Sequence, residues 1–143
     1  MMKASRTFGG VIAMLLLFAP IATAGDFDWV RNFNIRARAD SAAFKARLAD
    51  RFGADDAQVS AVIDDVSKPS DAYIVLRLEE MSGQPLDRVM AEYEYGRKKG
   101  WDVIAKRLGV RPGSKEFRAM KAGQDLFTED APRKGKETAT GKP

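Results

Sequence analysis

The chain contains no cysteine and no histidine. Without cysteine there is no disulfide framework, so even in an oxidising compartment the fold has to be held by a packed apolar core. Losing both residue types also removes the usual ligands for zinc, copper and haem. A serine nucleophile would have no imidazole beside it to take its proton, and no calcium loop of the Asp-x-Asp-x-Asp-Gly type occurs. We therefore expect neither a metal nor a cofactor. Long apolar runs are scarce too: beyond the first two dozen residues nothing approaches the ~20 apolar residues of a spanning helix.

The one long run has a particular construction. Lys3 and Arg6 precede an apolar stretch from Phe8 to Ala19, Pro20 breaks it, and Ala22-Thr23-Ala24 presents small residues ahead of Gly25. A positive start, a short apolar centre and a small-residue cleavage site make a secretory signal peptide. Residues 1–24 are expected to be removed, leaving a product secreted from the cytoplasm, in a bacterium to the periplasm, with no transmembrane segment.

Charge is unevenly spread over what remains. From Asp40 to Asp71 seven acids (Asp40, Asp50, Asp55, Asp56, Asp64, Asp65, Asp71) stand against four bases. From Arg97 to Lys121 the balance reverses: Arg97, Lys98, Lys99, Lys106, Arg107, Arg111, Lys115, Arg118 and Lys121 face only Asp102 and Glu116. This basic surface is the candidate binding region. Its physical use would be to attract an acidic protein, or an anionic envelope polymer or lipid headgroup.

Helical periodicity dominates. Asp40 or Ser41 caps a helix carrying Phe44, Leu48 and Phe52, and Gly53 ends it. Asp55 or Asp56 caps a second helix with the stripe Val59, Val62, Ile63, Val66, halted by Lys68-Pro69. A third, capped by Ser70 or Asp71, holds Tyr73 to Leu76, Leu78 and Met81, apolar enough to be central. Pro85 opens a fourth, with Leu86, Val89, Met90 and Tyr93 facing inward. Trp101, Ile104, Ala105 and Leu108 mark a fifth, and Ser114 caps a sixth with Phe117 and Met120. We expect an all-α fold of five or six short helices in an orthogonal or bundle-like array, spanning residues 40–123. The alternation Phe33-x-Ile35-x-Ala37-x-Ala39 suggests that 25–39 is an extended N-terminal arm anchored by Trp29 and Phe33. Residues 124–143 are expected to be a disordered tail, because from Asp130 onward no large apolar side chain offsets the entropy of ordering.

Gly100 to Phe117 carries the most distinctive pattern. Ile104, Ala105, Leu108, Gly109 and Val110 match the first half of a DNA-binding helix-turn-helix. The second half is out of register, since Lys115 falls where an inward apolar residue belongs and Pro112-Gly113 lengthens the turn. The same residues are similar to a family of small exported bacterial helical proteins with the signature Gly-Trp-x-x-Ile-Ala-Lys-x-Leu-Gly-x-x-Pro-Gly-Ser-x-Glu-Phe. It maps onto Gly100, Trp101, Ile104, Ala105, Lys106, Leu108, Gly109, Pro112, Gly113, Ser114, Glu116 and Phe117, and the likeness extends back through Asp71-Ala72-Tyr73. Members often have Gly where Asp102 stands and His where Arg118 stands. The resemblance implies export and a helical fold but carries no activity. Most of the signature serves folding: Trp101, Ile104, Leu108 and Phe117 as core, Gly109 and Gly113 as turns, Ser114 as a cap.

Carboxylates recur in pairs, at Asp55-Asp56, Asp64-Asp65, Glu79-Glu80 and Glu92/Glu94. Acid–base catalysis needs one member whose environment raises its pKa; adjacent helical residues point apart and make poor dyads. The reading that the sequence favours is thus an exported, non-enzymatic binding domain using its basic surface. A carboxylate-dependent hydrolase and a helix-turn-helix-like nucleic-acid binder are the alternatives.

Overall fold

The computed structural model describes residues 26–128, and over them the chain is all-helical. In chain order the helices are α1 (Val30–Ala39), α2 (Ser41–Phe52), α3 (Asp56–Asp65), α4 (Pro69–Ser82), α5 (Leu86–Gly96), α6 (Trp101–Arg107) and α7 (Lys115–Ala122). Residues 1–24, expected from the sequence to be a signal peptide, lie outside the described residues.

Six of the seven stand where the sequence placed a helix, and several of their ends carry local chemistry. The Asp40 carboxylate accepts from Ala43 N–H at 3.0 Å, that of Asp55 from Gln58 N–H at 2.7 Å, and Ser114 Oγ from Phe117 N–H at 3.3 Å. Gly53 and Gly83 close α2 and α4 at φ 62° and 66°, the left-handed region that only glycine enters without cost.

The seventh is a correction. The extended arm expected over 25–39 is not found across the described residues 26–39: Val30–Ala39 is helical, and the array has seven helices among the described residues, not five or six. Alternation misled because Ile35 is 57% exposed, while the buried residues are Phe33, Asn34 and Ala37. Phe33 and Ala37, four apart, share one helical face. Trp29 and Phe33 do anchor the segment. The Trp29 indole donates to Met120 C=O at 2.9 Å, and the Phe33 ring meets those of Trp29, Phe44, Tyr73 and Phe127 at centroid distances of 5.0–5.7 Å.

α4 is the hub, packing against α1, α2, α3, α5 and α7. Ala72 to Leu76 and Leu78 are all buried, and a helix apolar on every side has to sit inside. Its N-cap is Lys68, not Ser70 or Asp71, and Pro69 starts it rather than merely stopping α3. Lysine has no acceptor for the first N–H groups. Asn34 supplies one from across the fold, its Oδ1 taking Ser70 N–H at 2.8 Å.

The expected tail boundary also shifts. Residues 124–128 dock on the helices: Leu126 is buried, and Phe127 packs on Phe33 beneath the guanidinium of Arg36 (4.6 Å to the ring centre). Residues 129–143 lie outside the described residues. The anchor is Asp125, whose Oδ2 accepts from Arg51 Nε and an Arg51 terminal nitrogen at 3.1 and 2.9 Å, while Oδ1 accepts from Tyr73 Oη at 2.8 Å. Arg51 is only 4% exposed and also pairs with Glu80 at 3.3 Å.

Burial alone would raise the Asp125 pKa, but the hydrogen bonds from Arg51 and Tyr73 and the charges of Arg51 and Arg77 outweigh it and hold the carboxyl below its ordinary value. A depressed folded-state pKa means stability that is complete above the unfolded value and is lost as pH falls through the folded one. Acid titration of the melting temperature should therefore fall away below about pH 4, and Asp125→Asn should flatten that fall while lowering the plateau at neutral pH. An acid limb as steep in the variant as in the parent would remove Asp125 from this role.

Candidate functional site

Lys68 precedes a proline and so must be extended, as its φ of −142° and ψ of 153° show. The 66–68 connection consequently runs across the start of α4 and brings Ser67 to the end of α5. There Tyr93 Oη accepts from Ser67 N–H at 3.1 Å and donates its single proton to Asp71 Oδ2 at 2.8 Å. The direction is forced, since an ionised carboxylate only accepts. This bridge clamps the first turn of α4 to the last turn of α5.

On the other side, α6 sits hard against α5. A Cβ on buried Gly96 would overlap the Ile104 side chain, so only glycine lets the two helices approach this closely. Gly100, at φ 108°, reverses the chain into α6, and Trp101 at its first position stacks on Tyr93 with centroids 5.7 Å apart and planes at 28°. Between these parts opens a cleft of about 400 Å³ lined by Ser67, Lys68, Asp71, Tyr93, Arg97, Lys98, Gly100, Trp101 and Ile104. That is near the lower end of small-molecule sites.

Its chemistry is mixed. Exposed Lys68, Arg97 and Lys98 supply positive charge; half-buried Asp71 and exposed Ser67 supply acceptors. Burial raises the Asp71 pKa above its ordinary value, partly countered by the Tyr93 hydrogen bond and the Lys68 charge. Burial likewise pushes up the Tyr93 phenol, which stays protonated as the donor to Asp71. Trp101 is half-buried rather than enclosed. It belongs to the core on one side and to the cleft on the other, so the expectation of a purely core residue is corrected.

The nine basic candidates separate into two groups. Four are engaged locally. Arg107 donates to Glu92, a carboxylate only 6% exposed that Arg88 also approaches at 3.3 Å. Lys121 pairs with Asp26 at 2.9 Å and Asp102 at 3.6 Å. Arg97 lies 3.9 Å from Glu94, and Lys99 donates to Tyr95 Oη at 2.9 Å. The other five, Lys98, Lys106, Arg111, Lys115 and Arg118, are exposed and form no ion pair within the described residues. The uniform basic face of the sequence is thus a set of five outward cations plus the cleft rim.

The carboxylate pairs do not converge. Glu79 and Glu80 line a separate cavity of about 200 Å³ with Phe52, Gly53, Ala54, Gln58 and Leu76. Glu80 lies 3.3 Å from Arg51 and 3.8 Å from Arg77, Glu92 is held by Arg107, and Glu94 meets Arg97. Among the described residues no cluster of metal-ligating side chains occurs, and no helix is long and apolar enough to cross a membrane. Between α6 and α7 run residues 108–114, twice the three or four of a helix-turn-helix turn. Neither a family model, nor a curated protein, nor a solved structure matches the chain.

Sequence reasoning missed Ser67, Lys68 and Asp71 as site residues. Asp71 and Trp101 both stood in the family-like segments, which was the available signal. Their meeting needs Tyr93 as the bridge, and nothing in the local spacing identifies it.

Proposed function

We propose that this chain is an exported, non-enzymatic binding domain for an anionic polymer of the cell envelope. Its contacts are the five outward cations Lys98, Lys106, Arg111, Lys115 and Arg118, together with the α4–α5–α6 cleft that Lys98 lines. The observation that carries the reading is the mixed cleft: three cations on its lining, an aromatic wall and a fixed carboxylate. A flat acidic protein patch would use the cations and leave that depth unused.

The test is retention of the protein on an anionic polysaccharide across a salt series. Exposed charges act together over a Debye length of about 8–10 Å near physiological salt, so loss of one is mild and reversal of all five is severe. Changing Lys98, Lys106, Arg111, Lys115 and Arg118 to Glu should abolish retention and leave circular dichroism unchanged. Wild-type retention should weaken steeply with salt. Retention that ignores salt, or survives the fivefold reversal, overturns the reading, and capture by acidic proteins alone overturns the choice of polymer.

A further inference from the structure

Resting on the anionic-polymer reading, we propose that the cleft between α4, α5 and α6 is a subsite for one carboxylated sugar ring. Four features of the cleft fit one such unit and no simpler anion. Its volume, about 400 Å³, suits a ring-sized group rather than a large cofactor. Lys68, Arg97 and Lys98 lie where a carboxylate would be drawn. Asp71 is locked through Tyr93 and Ser67, and as an acceptor it matches sugar hydroxyls. Tyr93 is 1% exposed, so Trp101 is the ring that meets the ligand, its electron-rich face complementary to the C–H edge of a sugar.

The Asp71 carboxylate decides between ligand classes. An acidic side chain of a protein could occupy the cationic rim only, and reaching further would set a second carboxylate against Asp71. A polyphosphate would meet the same repulsion more strongly. A neutral sugar would satisfy Asp71 and Trp101 but bring no charge to meet Lys68 and Lys98, while Arg97 keeps Glu94 at 3.9 Å. A carboxylated sugar ring uses all of them at once, the charged group at the rim and the hydroxyls inside.

Calorimetric titration of the protein with tetragalacturonic acid, a neutral cellotetraose and a hexaglutamate peptide separates the possibilities. The uronic acid should bind at least about tenfold more tightly than either comparator, the scale of one hydrogen bond to a charged group. Asp71→Asn keeps an acceptor for Tyr93, and so the fold, but should weaken uronate binding about tenfold and leave any hexaglutamate binding unchanged. Should Asp71→Asn disturb the circular dichroism, exposed Lys98→Met serves instead and should weaken uronate binding without changing the spectrum. Equal binding of uronate and hexaglutamate, or of uronate and the neutral sugar, overturns the subsite while the charged-face reading stands. If none of the anions binds, both fall.

Discussion

Phe33→Ala should lower the melting temperature by roughly 15 °C or more. Truncating a buried aromatic costs about 3–5 kcal/mol, out of a typical total of about 5–15 kcal/mol. In a domain of about a hundred residues each kcal/mol moves the midpoint by about 4–8 °C. Phe33 is 2% exposed and its ring touches four others, so the hole cannot close without moving α1, α2, α4 and the 124–128 segment together. Ile35→Ala is the internal comparison. At 57% exposure it should cost within about 0.5 kcal/mol, the usual range for surface changes. On an extended arm Phe33 and Ile35 would share a face and cost alike; on a helix they are separated. Equal shifts in thermal melts of the two variants would contradict α1.

Ending the chain at Gly123 should be nearly as damaging, whereas ending it at Thr128 should leave the midpoint within a few degrees. The shorter chain loses Leu126, whose burial is worth about 1.5–3 kcal/mol, and the aromatic packing of Phe127. It also takes Asp125 from Arg51. Breaking a buried pair costs about 3–5 kcal/mol because one charge stays behind unsolvated. Here the cost is lower, since the Asp125 side chain is 31% exposed and Glu80 remains beside Arg51. A combined loss of about 4–6 kcal/mol is the expectation. Denaturant unfolding of the two truncations reads it directly, and near-equal stabilities would mean that the 124–128 strap contributes little.

Local chemistry explains why so much of the helical frame was legible. Asp40, Asp55 and Ser114 cap because a short acceptor precedes an apolar stripe, and Gly53 and Gly83 terminate because only glycine takes a left-handed backbone freely. Each of these signals lies within a few residues of the feature it marks. α1 escaped because its buried set is short and includes Asn34, a polar residue whose partner is Ser70 N–H, 36 residues away. The strap escaped for the same reason. Asp125 reads as one more acid in a polar stretch until Arg51 and Tyr73, 74 and 52 residues distant, are placed beside it.

The candidate site divides along the same line. From sequence came the all-helical class, the hub helix with its run from Tyr73 to Leu78, and the excess of basic residues between Arg97 and Lys121, because composition and periodicity are properties of neighbours. Tertiary structure alone decided which of those bases face outward and which are bound to Glu92, Asp26 or Asp102. It alone brought Lys68, Asp71, Tyr93 and Trp101 around one cleft. A pairing across the fold depends on how helices dock, and docking is set by whole buried faces, down to the missing Cβ of Gly96 that lets α6 rest on α5.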